Sequence, residues 1–295
     1  MFKRFISRSL LLCPILALAA TAAAAAYPVT VVDDSGTTIR LAKRPARIVS
    51  LTPSNTEILF ALGLDKEIVG VTTYCDYPAA AKAKEKVGDL NLDLEKVVSL
   101  RPDLLLGVGS MQSEAISRLR DLGLVVMVLD PTNLETTMAA IIKVGRVTGR
   151  EGAARKLVNG MKKRIAAVKN RLSGLTPAQK PRVFVEIWMD PVMTAGPGTF
   201  TGELITLAGG RDIAHDAKPW AIFSPELIVA RDPEIIVSQC GSASQILKRP
   251  GWEGIDAVRN GRVYDVDQNI FSRLGPRLVE ALEILAKLLH PGKFN

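Results

Sequence analysis

The sequence predicts an α/β protein built as two doubly wound lobes joined by a single long helix. Strand and helix signals alternate through both halves, a proline-free stretch rich in Ala, Lys, Arg and Val separates them, and two patterns recur across it in the same register. Length agrees, since 295 residues exceed what one small core organises. With 47% hydrophobic and 23% charged residues the composition is globular, which excludes disordered, collagen-like and multi-span membrane chains.

Residues 1–26 read as an export leader. Lys3, Arg4 and Arg8 precede an apolar run from Leu10 to Leu18, and Ala24-Ala25-Ala26 supplies small residues before Tyr27. The competing reading is a permanent anchor, because no charge occurs from Ser9 to Val32, but Pro14 and weakly apolar alanines interrupt that run. Leu11-Leu12 argue against lipid attachment at Cys13. Cleavage after Ala26 leaves a soluble exported chain whose 35 basic and 30 acidic residues give a net charge of +5 instead of +8. These charges are interspersed rather than clustered with aromatics, so nucleic acid is not an expected partner.

The N-terminal lobe spans residues 27–133. Pro45 to Leu51 form a strand, and Pro53 to Gly63 a helix in which Ser54 and Glu57 have capping-box spacing. Ile68–Val71, Leu104–Val108 and Leu124–Leu129 are further strands, with a helix over Leu94–Leu100 before the breaker Pro102. Residues 134–173 form the linker: helix throughout, broken near Gly149–Gly152, with a rod from about Glu151 to Leu172. Such a rod is about 30 Å long. The C-terminal lobe, 174–295, repeats the alternation after a loop from Ser173 to Pro181.

The halves match locally. Asp93-Leu94-Glu95 through Arg101-Pro102-Asp103 aligns with Ser224-Pro225-Glu226 through Asp232-Pro233-Glu234, and Arg47-Ile48-Val49 to Glu57 parallels Arg182-Val183-Phe184 to Glu203. The two lobes therefore read as like, Rossmann-like units.

Catalytic signatures are missing. A nucleophile elbow, a phosphate loop, a Cys-x-x-Cys pair and a His-Glu-x-x-His helix are all absent, and two histidines with three cysteines do not support a metal site. Gly196-Pro197-Gly198 opens a helix rather than holding a dinucleotide, because the third glycine, Gly202, falls one residue late. His215-Asp216 is the one acid-base candidate, set against a surface histidine in a polar loop, and His290 reads as surface. Cys75 and Cys240 lie in opposite halves and read as free, partly buried thiols, with a bridge tying the lobes together as the alternative in an oxidising compartment.

Aromatic residues make up only 5% of the chain, yet Tyr74, Tyr77, Trp188, Phe200, Trp220 and Phe223 fall in loops at strand ends, where α/β folds place ligands. Together they predict a lined cleft. Ser54, Asn55 and Thr56 add donors at a helix N-terminus.

Arg47-Ile48-Val49-Ser50-Leu51 to Glu57, Tyr74-Cys75-Asp76-Tyr77-Pro78, Leu94-Glu95 to Pro102-Asp103, Glu186-Ile187-Trp188 to Thr194-Ala195-Gly196, Pro219-Trp220, Pro225-Glu226 and Ser272-Arg273 to Pro276-Arg277 resemble one family. It comprises the periplasmic substrate-binding proteins of ABC importers with a rigid interlobe helix, and the likeness is greatest to the cobalamin-binding branch. The resemblance covers essentially the whole chain beyond the leader. It implies a monomeric periplasmic receptor without catalytic activity, cofactor or stable membrane insertion, which captures cobalamin or a related corrinoid and delivers it to an inner-membrane permease. It also implies that Glu95 and Glu226 dock with arginines of that permease. One departure is the lack of tryptophan around Gly88-Asp89-Leu90 and Val108-Gly109, where cobalamin binders often carry it. Haem and ferric siderophores are the alternative ligands within the same fold, served by Tyr74, Tyr77 and Arg273. A secreted hydrolase using His215-Asp216 is the alternative outside it.

Overall fold

The structure is a computed structural model that describes residues 27–294. The expected leader and its cleavage site at Ala26 lie outside the described residues. No helix among the described residues is long and apolar enough to cross a membrane.

A hairpin that the sequence did not announce comes first: β1 (Val29–Val32) pairs antiparallel with β2 (Thr38–Leu41). Period-two alternation buries Val29, Val31, Ile39 and Leu41 on one face. The N-terminal lobe then sets β3 (Ile48–Ser50), β4 (Ile68–Val71), β5 (Leu104–Gly107) and β6 (Val126–Val128) in a parallel sheet of order β4-β3-β5-β6. The C-terminal half contributes β7 (Arg182–Glu186), β8 (Trp188–Met189), β9 (Val192–Ala195), β10 (Arg211–Asp212), β11 (Trp220–Ile222), β12 (Ile235–Ser238) and β13 (Val263–Asp265). Four of these form a second parallel sheet, β10-β7-β12-β13, and the other three a small antiparallel one, β11-β9-β8. The two parallel sheets have the same connectivity: the first strand of each lobe lies second in its sheet and pairs with the strand that follows the short helix. The central strands β5 and β12 are buried at every position, as parallel sheets covered on both faces require.

The repeat holds at the level of single bonds. Asp93 and Ser224 each cap a short helix, accepting from the backbone N–H three residues on. Each helix ends in a left-handed residue before proline, Arg101 at φ 46° and Asp232 at φ 44°, the two non-glycine residues with positive φ among the described residues. Past the proline, the Asp103 carboxylate accepts from the Ala46 and Arg47 amides, and Glu234 accepts from the Arg182 amide, so each carboxylate anchors the first strand of its own lobe.

Between the sheets run two helices, Leu134–Val147 and Glu151–Arg171, turned back on each other at Thr148-Gly149-Arg150. Gly145 permits the close approach: a Cβ there would lie 2.4 Å from that of Ala154. Ala154, Val158, Met161 and Val168 make one buried stripe along the second helix. One apolar core runs through both lobes and this linker, from Ile48 and Leu106 through Ile141 and Met161 to Val185 and Leu285, while Trp252 and Leu119 belong to separate outer clusters. The linker is therefore packed along its length, not a bare rod. Arg164 adds a two-pronged bond to Glu283 on the last helix, Leu278–Leu289.

The predicted capping box at Ser54 and Glu57 does not form. The helix Pro53–Ala61 starts behind Thr52 without a side-chain cap, because Glu57 is buried and claimed by two arginines.

Candidate functional site

Loops beyond the carboxyl ends of parallel strands are where open α/β sheets meet ligands. Here those edges belong to two sheets and they meet. From the N-terminal lobe, Glu57 reaches the segment after β13: its side chain is 2% exposed, and Arg277 donates to both its oxygens at 2.6 and 2.9 Å. Arg273 donates to the same carboxylate at 3.1 Å, to Asp76 at 2.6 Å, to the Asn269 side chain at 2.6 Å and to the Tyr74 carbonyl at 3.2 Å. The Glu57 hydrogen bond raises the pKa of Arg277. Burial pushes the Asp76 carboxyl up, but the bond and charge of Arg273 outweigh it and hold it below the ordinary value. From the C-terminal lobe, the equivalent Glu203 reaches the segment after β6 and accepts the Leu134 amide at 2.9 Å. The same residue of each repeat thus makes a different tie, Glu57 to two guanidiniums of the other lobe and Glu203 to the first N–H of the linker helix.

An unusual surface rises from the C-terminal edge. Trp188 pairs with Met193, Ile222 pairs with Met193 from the other side, and Trp220 pairs with Ala195. Directly opposed residues share a face of a sheet, as do alternate residues of one strand. Trp188, Ile222 and Trp220 therefore project from one face of the small sheet, and they are 55%, 69% and 52% exposed. The opposite face is packed, with Val192 and Thr194 buried. Phe200 lies beneath, its ring 5.9 Å from that of Trp220. On the N-terminal edge Tyr74 and Leu90 are exposed from two loops and Met111 from the first turn of the helix Gly109–Asp121. Gly88 holds the Leu90 loop beside Tyr74: its carbonyl accepts the Thr73 amide, and at φ 100° a Cβ would strike the Asn91 carbonyl at 2.4 Å.

The residues read from the sequence divide accordingly. Trp188 and Trp220 stand on strands of the antiparallel sheet rather than in loops, and Tyr74 is exposed on the facing edge. Asn55 is buried in the first turn of its helix, and Ser54, beside it, is half-buried with its hydroxyl 3.3 Å from that of Thr52. Thr56 turns inward, 2.8 Å from Ser50 Oγ and 3.1 Å from Cys75 Sγ, so its hydroxyl is occupied by the core. Phe223 is buried against Phe184, and Phe200 is likewise buried, so neither ring is an open wall. Arg273 is occupied by the interlobe tie rather than held open for a carboxylate. Tyr77 stacks under the Arg277 guanidinium at 3.9 Å. It lines another space, a cavity of about 760 Å3 against the linker helix that Phe60, Leu157 and Arg164 also border. Ile222, Leu90 and Met111 went unread; for Ile222 the alternation Trp220-Ala221-Ile222 was the available signal.

Glu95 and Glu226 occupy the first turn of equivalent helices and are exposed. Three residues on, hence on the same helical face, each is followed by an exposed valine, Val98 and Val229. The hydrolytic candidate does not assemble. Asp216 is bonded through both oxygens to Arg231, which takes its pKa down to about 2, while His215 Nδ1 lies 3.2 Å from the Asp212 carbonyl. His290 is half-buried, its Nε2 3.1 Å from the Gly209 carbonyl, and not a surface residue. Cys75 is buried and Cys240 partly so, and both are free. Among the described residues no three His, Cys, Asp or Glu side chains cluster to hold a metal ion.

The model of a family described as periplasmic binding protein matches residues 48–270, a span that takes in both parallel sheets. The chain belongs to this family. An uncharacterized ABC transporter substrate-binding lipoprotein of Bacillus subtilis (strain 168), YvrC, is 39% identical over 275 residues, covering 91% of this chain and 88% of that protein. A cobalamin-binding protein of Halobacterium salinarum (strain ATCC 29341 / DSM 671 / R1) is 30% identical over 281 residues, 90% of this chain and 75% of its own. Among solved structures, a possible iron-binding (periplasmic solute-binding) protein of Staphylococcus epidermidis ATCC 12228 superposes with a TM-score of 0.75 at 34% identity, covering 84% of this chain and all of that one. The protein is a substrate-binding component of ABC transport, in a family of carriers rather than enzymes.

Proposed function

We propose that the protein captures a corrinoid, cobalamin or a close relative, between its two lobes and delivers it to the permease of an ABC importer from the periplasm, which it reaches through its N-terminal leader. The observation that carries this is the exposed face of Trp188, Ile222 and Trp220 on a strand-built platform, together with the exposed Tyr74, Leu90 and Met111 of the N-terminal lobe. A wide flat apolar wall suits a planar macrocycle. Leu90, and Met111 two residues past Gly109 in the following helix, supply apolar surface near the two positions where tryptophan is missing. Ser54 and Asn55 contribute donors at the start of their helix. The competing ligands, haem and ferric siderophores, often require a cation for their carboxylates, and the engagement of Arg273 with Glu57, Asp76 and Asn269 counts against that role. Glu95 and Glu226, at equivalent places on the two lobes, dock with basic residues of the permease.

Calorimetric titration with cyanocobalamin, haemin and ferrichrome tests the ligand: saturable binding of cyanocobalamin alone is expected, and saturable binding of haemin or ferrichrome in its place overturns the corrinoid. A Glu95→Ala/Glu226→Ala protein is expected to bind ligand normally and fail in reconstituted transport; normal transport removes the docking role. Turnover of ester or phosphate substrates that His215→Ala abolishes would restore the hydrolase.

A further inference from the structure

Buried polar side chains in this protein are, with few exceptions, partnered. Ser50 bonds Thr56, Gln112 the Leu51 carbonyl, Thr194 the Val185 carbonyl, and Ser242 is held by Glu186. Among the described residues the side-chain atoms left buried without a partner are Nε of Arg120 and Arg150, Asn55 Nδ2, Thr201 Oγ1 and Gln239 Nε2. Both arginines are engaged through another nitrogen, Arg120 with Asp33 and Arg150 with the Gly63 carbonyl. Asn55, Thr201 and Gln239 differ, because those idle atoms are their only hydrogen-bonding donors on the side chain. All three residues are more than nine-tenths buried.

Their positions are not scattered. Asn55 lies in the first turn of Pro53–Ala61, just beyond β3. Thr201 lies in the first turn of Phe200–Leu207, just beyond β9. Gln239 is the first residue after β12. Asn55 and Gln239 therefore sit on the carboxyl edges of the two parallel sheets, and Thr201 follows a strand whose Thr194 bonds the Val185 carbonyl near the end of β7. Asn55 and Thr201 also precede Glu57 and Glu203 by two residues, so they occupy the same place in the repeat. A native chain satisfies its buried polar groups, and the rare orphan calls for a reason. Three neutral orphans that all follow the ends of strands, in both lobes, have a common one.

We propose that Asn55, Thr201 and Gln239 are polar anchors of the interlobe site and that the guest they hold carries neutral carboxamides around its rim. The proposal rests on the capture of a macrocycle between the lobes. Primary amides and a hydroxyl both donate and accept, and carboxamides do the same, so the two sets pair without leaving a charge unmatched. A carboxylate rim would bring charge to neutral partners, which a closed site disfavours. An amide with no internal bond gives up no partner when it turns to a guest, so the orphans are set to respond to ligand rather than to hold the empty fold.

Apolar isosteres separate anchor from packing flaw. Thr201→Val, Asn55→Leu and Gln239→Met each remove an unmatched polar group, so the unliganded proteins are expected to melt at or above the wild-type temperature. Each is expected to weaken cyanocobalamin binding about tenfold in calorimetry, since the guest's own polar group is then left unpaired. Thr201→Ser, which keeps the hydroxyl, is expected to bind as wild type and guards against a misfolded valine variant. Unchanged cyanocobalamin affinity in all three isosteres overturns the anchors while the interlobe reading stands. Wild-type protein that binds no cyanocobalamin overturns that reading, and the carboxamide-rimmed guest with it.

Discussion

At the amino ends of their strands the two lobes are near copies, and at the carboxyl ends they are not. Below, Asp103 and Glu234 anchor their first strands in the same way, and Arg101 and Asp232 end the preceding helices in the same left-handed turn. Above, one lobe offers Tyr74 and Leu90 from loops and Met111 from a helix start, whereas the other raises Trp188, Ile222 and Trp220 on a hydrogen-bonded sheet. The ties of the equivalent glutamates differ in the same way, Glu57 holding two guanidiniums of the other lobe and Glu203 a single amide of the linker helix. A base that only has to hold its sheet keeps one solution in both halves; an edge that meets a ligand or the other lobe does not.

The grips offer the largest test. Glu57→Leu leaves Arg273 and Arg277 without their shared carboxylate in a buried setting, and unfolding in urea should show a loss of about 3–5 kcal/mol. Glu203→Gln weakens one hydrogen bond and should lose about 1 kcal/mol. Equal losses would erase the asymmetry. The walls come next. Trp188→Ala and Trp220→Ala should each weaken corrinoid binding by about 2 kcal/mol, with Leu90→Ala and Met111→Ala each under about 1 kcal/mol. Because these side chains are half-exposed, the melting temperature of the unliganded proteins should scarcely move. A larger effect from Leu90 and Met111 would shift the recognition surface to the N-terminal lobe.

The shared base can be sharpened too. Arg101→Gly should stabilise by up to about 1 kcal/mol, because glycine adopts positive φ without strain. Asp232→Gly relieves the same strain but removes a carboxylate that accepts the Asp256 amide and meets Arg182, so it should destabilise. The smallest effect concerns His290, whose burial lowers its pKa from 6.5. The unfolded chain then binds the proton first, so stability should fall as pH drops below about 6.5. The melting temperature followed from pH 7.5 to about 5.5 should be flatter for His290→Gln; an identical profile would show that this group does not titrate as described.

The parallel strands were legible because full burial leaves uninterrupted apolar runs, and Leu104–Gly107 and Ile235–Ser238 show it in the letters alone. The long helix was legible to within a residue, since a proline-free run from Glu151 ends at the local breakers Ser173-Gly174. What the letters did not show was direction. Phe223 and Trp220 are both aromatic and three residues apart, yet one packs on Phe184 and the other faces out, a choice made by strand register. Arg273 and Glu57 illustrate another limit. They are 216 residues apart in the chain, and only the meeting of the two lobes turns one from an open cation and the other from a helix cap into a buried pair.

The central claim is that the guest sits on the Trp188–Trp220 face between the lobes. The chain has three tryptophans, and the third, Trp252, is buried in the outer cluster of the C-terminal lobe. Fluorine NMR of 5-fluorotryptophan protein titrated with cyanocobalamin reads all three at once. The account predicts that the Trp188 and Trp220 resonances shift with saturation while Trp252 stays in place; saturating ligand that moves neither exposed tryptophan would contradict it.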